Sequence, residues 1–419
     1  MLARQELTEI SSGADLAGAS TARHMLVLVH PIDPRGNKVG GIETHVRMMI
    51  THAPRDWQVL LVGVDGRGDC RLGETQQLSL DGRVFDFLPV LHFAEDQTRA
   101  ARSLFSSLTF RFGTGLIRYL PALRRIVRAA PAATIELQRF EFAALGPLLG
   151  RPVVQVIHGE GTKDDKMDSL IKKFWFLHET NQKIAVALAH RIICVNPNIL
   201  STLEREKPKA ARRAVFMPVA VDADIFTASP FDIGDGIFRV VFAGRFDEFK
   251  DPPLMFRTLR RVHDRLGGKF EFHYIGTSDP ERYSEFALVR PFTVFHGFRT
   301  PREVAGIMKR CHSGVLTSWF EGMPCYLLEL LASGRPIVAV TLPQYKLVVQ
   351  NGKNGYLVDR HDDVEGLADT LAERFVETWS AIKSGRMSPD EIREHAMPYS
   401  VDVQLHQHFT RHRELAVRR

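Results

Sequence analysis

Three short stretches hold residue types whose spacing could do chemistry. In GRFDEFKDPP, Arg245 and Lys250 share one loop after an apolar run, Phe238 to Gly244, that reads as a strand. Two cations at the carboxyl end of a strand suit a diphosphate, since a guanidinium forks onto two oxygens and an ammonium acts as a point charge. Taken alone, the loop suits surface ion pairs with Asp247, Glu248 or Asp251 equally well. In SWFEGMPCYLLELLASGRP, Glu321 falls in the loop after a second strand-like run, Gly314 to Thr317. Pro324 suits the first turn of the helix that follows, and Glu329 lies about two turns inward among Leu327, Leu328, Leu330 and Leu331. A carboxylate on so apolar a helix needs partners. Paired sugar hydroxyls would serve, because a carboxylate accepts two hydrogen bonds, and a buried salt bridge would serve as well.

The third stretch, PIDPRGNKVGGIETHVRMMI, carries Gly40 and Gly41 directly into a helical pattern. Paired glycines let the backbone approach a phosphate or sugar, and a helix N-terminus adds exposed N–H groups. A plain structural turn would look the same. The loop has neither the GxGxxG nor the Walker spacing, so a nicotinamide or ATP site has little support.

Such residues need strands and helix starts to hold them. Short apolar runs alternate with helix-length amphipathic segments throughout, the pattern of parallel α/β sheets. The clearest strands of the first half are His24 to His30, Gln58 to Val64, Thr134 to Leu137, Val153 to Ile157 and Arg191 to Val195. Those of the second are Phe238 to Gly244, Lys269 to Gly276, Thr293 to Gly297, Gly314 to Thr317, Pro336 to Val340 and Gly355 to Val358. Two doubly wound domains follow, 24–230 and 237–395, parted by the Ser/Pro/Gly/Asp-rich TASPFDIGDG (Thr227 to Gly236). Residues 396–419 read as a helix that could pack back on the first domain, and residues 1–23 as a polar leader without the apolar core of a secretory signal.

A chain of 419 residues is too long for one compact core, and 44% hydrophobic with 25% charged residues is ordinary for a globular protein. No apolar run approaches the ~18 to 20 residues of a membrane span, so no bilayer crossing is expected, and the polar leader makes a cytoplasmic protein the expectation. Cys70, Cys194, Cys311 and Cys325 form no CxxC pair, which argues against a zinc site or a disulfide framework. Asp164-Asp165 and Asp362-Asp363 sit in polar loop contexts and read as solvated surface, so no metal site is expected. The net charge of +6 could serve nucleic acid, a membrane surface or a phosphorylated substrate. Seven arginines (Arg99, Arg102, Arg111, Arg118, Arg124, Arg125, Arg128) are interleaved with apolar residues and no acid, resembling a basic amphipathic surface. A solvated face of packed helices and an anionic-membrane patch both fit; no nucleic-acid module accompanies it.

GRFDEFK, EGMPCYLLE and the SG turn, in this order, resemble the retaining family 4 glycosyltransferases of GT-B fold, two Rossmann-like domains facing across a cleft. The Arg-x4-Lys and Glu-x7-Glu spacings, the GG loop and PVAVDADIF carry the same resemblance, which spans roughly Leu26 to Val358. It implies transfer of a sugar from a UDP- or GDP-linked donor to a glycan or lipid-linked acceptor, with no cofactor and no metal, in polysaccharide or glycolipid biosynthesis, and a protein that is cytoplasmic or peripheral on the inner membrane face. Arg245 and Lys250 would then hold the diphosphate, Glu329 the ribose and Glu321 the transferred sugar. Amides of the helix beginning near Met323, at Gly322, Met323 and Cys325, would face the phosphates, Gly297 and Phe298 the base, and Gly40 and Gly41 the donor. His158, in VIHGEG, matches a histidine facing the sugar or acceptor. Three departures stand out: Val219-Ala220 where Asn-Gly is usual, Asp251 where a glycine often follows the lysine, and EGMP for the commoner EGFG. A sugar-nucleotide epimerase and a non-catalytic sugar-nucleotide binder are the rival readings.

Overall fold

The computed structural model describes residues 24–36, 40–94, 106–159 and 175–417; the leader, Arg99, Arg102 and Asp164-Asp165 lie outside them. Uninterrupted apolar runs such as MLVLV bury both faces of a strand, so they settle in the middle of parallel sheets. The first lobe is one sheet of β1 (His24–Val29), β2 (Trp57–Asp65), β3 (Gln76–Leu80), β4 (Arg83–His92), β5 (Ala133–Leu137), β6 (Val153–Ile157), β7 (Arg191–Cys194) and β8 (Ala214–Phe216), in the order β3-β4-β2-β1-β5-β6-β7-β8. The second holds β9 (Phe238–Ala243), β10 (Phe270–Ile275), β11 (Thr293–Gly297), β12 (Ser313–Leu316), β13 (Ile337–Val340) and β14 (Gly355–Val358), ordered β11-β10-β9-β12-β13-β14. All pairs are parallel except β3 with β4. The fold is α/β, with two doubly wound Rossmann-like units, and in each the chain winds outward in both directions from a central junction, β1/β5 in the first and β9/β12 in the second.

The strands β3, β4 and β8 were not among those read from the sequence. QQLSL is half polar because β3 is an edge strand, and it turns into β4 through Asp81 and Gly82, both at positive φ (48° and 80°), the backbone of a tight hairpin.

The chain crosses between the lobes twice, and the two crossings hydrogen-bond to each other. Val221 N–H donates to Tyr399 O (2.9 Å), and Val401 N–H donates back to Val221 O (2.9 Å). Val219 and Ala220, the departures from Asn-Gly, are buried there, and Ala220 packs with Val401, Leu405 and Phe409 of the C-terminal helix Val401–Val417. That helix lies on the first sheet, where Phe409 meets Trp57 edge-on at 5.1 Å between ring centroids. Burying the larger of these side chains, Val401, Leu405 and Phe409, contributes on the order of 1.5–3 kcal/mol each. The first crossing is pinned by Arg335, whose buried guanidinium donates to Ser229 O, Ser229 Oγ and Lys309 O (2.8, 2.8 and 2.7 Å) and lies over the Phe231 ring.

Candidate active site

In open parallel sheets a ligand crevice forms beyond the carboxyl ends of strands where the winding reverses, because the loops there diverge. In the second lobe this is the β9/β12 junction. The loop after β9 delivers Lys250 and the loop after β12 delivers Glu321. Lys250 Nζ is 2.6 Å from Glu321 Oε1, with both side chains mostly shielded from solvent. Ser318 Oγ donates to the same carboxylate oxygen at 3.0 Å. The loops are laced together: Thr317 Oγ1 donates to Lys250 O (2.7 Å), Trp319 N–H to Phe249 O (2.7 Å), and the Phe249 and Phe320 rings stack at 5.0 Å.

Asp251 explains its own departure. Its φ is 51°, in the left-handed region where glycine is the default and aspartate is tolerated, and its carboxylate caps the helix Pro252–Arg265 at Leu254 N–H. The other carboxylate oxygen accepts from Arg360 Nη1 at 2.8 Å. Arg245 sits differently from Lys250. Its guanidinium is 63% exposed, and its ion-pair partner among the described residues is Asp247, at 2.9 Å. The surface pair left open by the sequence is therefore present.

The helix expected near Met323 begins at Cys325, because Pro324 is extended (ψ 123°) and occupies the N-cap. The Met323 side chain is buried in the core, which accounts for methionine in EGMP. Glu329 is half-buried, and no salt bridge engages it among the described residues, contrary to the buried-pair alternative. Burial among leucines pushes its carboxyl up to about 7. Asp363, read as solvated surface, caps the helix Val364–Lys383 at Gly366 N–H (3.0 Å).

The first lobe faces this site. A Cβ on Gly322 would lie 2.4 Å from His158 O, and one on Gly41 would lie 3.9 Å from Cys325 Sγ, so the GG helix start and the start of the helix Cys325–Ala332 meet across the cleft. Gly40 is the extended N-cap of the helix Gly41–Thr51, with no side-chain cap of its own. Asn196 Nδ2 donates to Glu321 O at 3.3 Å and Gln344 Nε2 to the same oxygen at 2.8 Å. His158 follows β6 and pairs through Nε2 with Gln138 Oε1 at 2.6 Å. Desolvation, with His45 and His30 nearby, depresses its pKa to about 3, which keeps the imidazole neutral. Gly297, at a φ of 67°, and half-buried Phe298 end the edge strand β11, two strands from β9 and thus roughly 10 Å along the sheet.

The structure therefore brings Lys250, Glu321, Gly322, Cys325, Gly41 and His158 together. It leaves Arg245 paired outward and Gly297 and Phe298 at the sheet edge. Sequence reasoning missed Ser318, Asn196, Gln344 and Gln138. Of these only Ser318 had a local signal, lying beside Glu321 in the same loop.

Residues 237–375 match the family described as glycosyl transferases group 1. The D-inositol 3-phosphate glycosyltransferase of Corynebacterium jeikeium is 27% identical over 175 residues, 39% of this chain and 41% of that protein. The protein of the same name from Acidothermus cellulolyticus is 24% identical over 265 residues, 60% of this chain and 52% of its own. The chain thus spans about two fifths of the length of the curated relatives it matches first. Sucrose-phosphate synthase from Thermosynechococcus elongatus shares the fold at a TM-score of 0.73 and 16% identity, covering 95% of this chain and 100% of that one. Anabaena Alr3699/HepE in complex with UDP follows at 0.59 and 15% identity, over 92% and 99%. The second lobe is thus similar to the glycosyl transferases group 1 family over residues 237–375, and the chain shares the GT-B fold of these solved structures. Both findings agree with the resemblance carried by the motifs.

Proposed function

We propose that this protein transfers a sugar, with retention at the anomeric carbon, from a nucleotide-sugar donor to an acceptor hydroxyl. The observation that carries the reading is the Lys250–Glu321 contact at the β9/β12 junction, facing His158 and the GG helix start across the cleft. The donor diphosphate would lie beside Lys250 and the N–H groups that open the helix Cys325–Ala332, with Arg245 swinging from Asp247 to join them. Glu329 would take the ribose hydroxyls, Glu321 the transferred sugar, and Gly297 and Phe298 the base. Charge grows on the leaving diphosphate as the glycosidic bond breaks, so preorganised cations and amides stabilise the transition state more than the ground state. The departing phosphate oxygen would accept the acceptor's proton on the same face, and no divalent metal is needed. A neighbour bound to UDP-2-fluoro glucose shares the fold at a TM-score of 0.62 and 12% identity, over 93% of this chain and 99% of that one, which favours testing UDP-sugars first.

The experiment is incubation with a panel of UDP- and GDP-sugars and glycan or lipid-linked acceptors, read by mass spectrometry and by the anomeric configuration of the product. Acceptor-dependent nucleotide release with retention is expected. Isomerised donor would instead indicate an epimerase, and binding without turnover a non-catalytic binder. The arginine-bearing helices offer this enzyme a place to dock on an anionic membrane, as a lipid-linked acceptor would require. No helix among the described residues is long and apolar enough to cross one.

A further inference from the structure

Glu136, on β5, is a carboxylate without solvent exposure whose ion-pair partners among the described residues are all histidines. Four donors reach it. Oε1 takes His45 Nε2 (3.2 Å) and Gln138 Nε2 (2.5 Å), and Oε2 takes His408 Nε2 (2.5 Å) and His412 Nε2 (2.8 Å). A carboxylate has about four acceptor positions, so this one is full. His45, Glu136 and His408 have the composition and proximity of a metal site, and an ion there would have to displace the hydrogen bonds that the two histidines make to the carboxylate. Thr134 Oγ1 lies 2.8 Å from His412 Nδ1 and can donate there, which leaves the His412 proton on Nε2, facing Glu136. Burial opposes the charge on Glu136, but His408 and the hydrogen bonds of His408, His412 and His45 outweigh it and hold the carboxyl well below its ordinary range.

The arrangement dictates a tautomer farther on. An acceptor-only carboxylate compels Gln138 to present its NH2 to Glu136, so its carbonyl oxygen is the atom facing His158. That oxygen can only accept, and the His158 nitrogen 2.6 Å from it is Nε2. Nε2 therefore carries the proton and Nδ1 keeps a bare lone pair. We infer that Glu136 and Gln138 are positioning residues for His158, a relay that fixes its Nε2–H tautomer and is itself held by two histidines of the C-terminal helix. This rests on the proposed place of His158 at the donor–acceptor cleft. Neither Glu136 nor Gln138 touches the reacting atoms; they act through His158.

The test uses the full chain labelled with 15N-histidine, with the His158 resonances assigned by their loss in His158→Ala. The wild type is expected to show His158 protonated at Nε2 alone. The nearly isosteric Gln138→Met is expected to show both tautomers, with kcat reduced roughly tenfold to a hundredfold and the donor KM within about twofold. Wild-type His158 protonated at Nδ1, or an unaltered His158 spectrum in Gln138→Met, would overturn the relay. So would one equivalent of tightly bound metal in the wild type that disappears in His408→Ala. Full activity of His158→Ala would remove His158 from the proposed site while leaving the tautomer measurement to judge the relay separately.

Discussion

Lys250 and Glu321 meet at 2.6 Å although they arrive from loops on opposite sides of the β9/β12 junction. The contact pins the mouth of the crevice at the point where, in the proposed reaction, a negative diphosphate would adjoin a neutral sugar. Lysine suits the first and carboxylate the second, so their ion pair orders both before a donor arrives.

Lys250→Ala should slow turnover by roughly 10² to 10³, the scale for losing one preorganised electrostatic donor, and EDTA should leave wild-type activity intact. Arg245→Ala should cost less, because Arg245 is exposed and already engaged by Asp247. Steady-state rates decide it. Activity abolished by chelation and restored by magnesium or manganese would move leaving-group stabilisation from these cations to a metal.

Glu329 gives a pH signature. Its folded-state pKa of about 7 lies above the ordinary 4.5, so between those values the folded protein holds a proton that the unfolded chain has released. Its contribution to stability is therefore complete near pH 4.5, declines as pH rises to about 7, and is level above. The melting temperature of wild type minus that of Glu329→Gln should fall across that window. If the carboxylate accepts ribose hydroxyls, donor affinity should rise through pH 7 in the wild type only. A pH-independent difference between the two proteins would contradict the assignment.

Gly322→Ala should impair the cleft more than the fold. The new Cβ would lie 2.4 Å from the His158 carbonyl oxygen of the opposite lobe, closer than a carbon and an oxygen can pack, so the lobes must part. A loss in kcat/KM with little change in melting temperature is expected. Gly306→Ala is the control: its Cβ meets nothing within 4 Å, and on the helix Pro301–Arg310 it should stabilise by about 0.5–1 kcal/mol without touching activity.

The helices Leu108–Arg118 and Leu120–Ala129 bury Phe112, Leu116, Leu123 and Val127 against the first sheet while Ile117, Arg118, Arg125 and Arg128 stay exposed. If this face docks on lipid, the protein should sediment with anionic vesicles, detach as salt rises, and lose binding in Ile117→Asp. Equal binding to neutral vesicles, or none to either, would leave these helices with their packing role alone.

Both sheets were legible because their central strands are unbroken apolar runs, and Lys250 and Glu321 because each follows such a run directly. The hairpin of β3 and β4 was not read: its strand is half polar, although Asp81-Gly82 was a turn signal in plain view. The relay had no local signature. Glu136 and His412 are joined only when the last helix returns to the first sheet, and a single His at a strand end says nothing of what stands behind it. Asn196 and Gln344 converge on one backbone carbonyl, a relationship side-chain spacing cannot encode.

The paired crossings at Val221 and Tyr399–Val401 make the first lobe discontinuous in the chain, with the second lobe inserted within it. During synthesis the inserted lobe is complete when residue 399 has left the ribosome, whereas the first lobe still lacks the helix that covers Leu26 and Trp57. Until His408 and His412 emerge, the Glu136 carboxylate has only two of its four donors. The lobe made first is therefore finished last, and a ribosome that stops before His408 releases a chain whose second lobe is whole but whose His158 has an unfinished foundation.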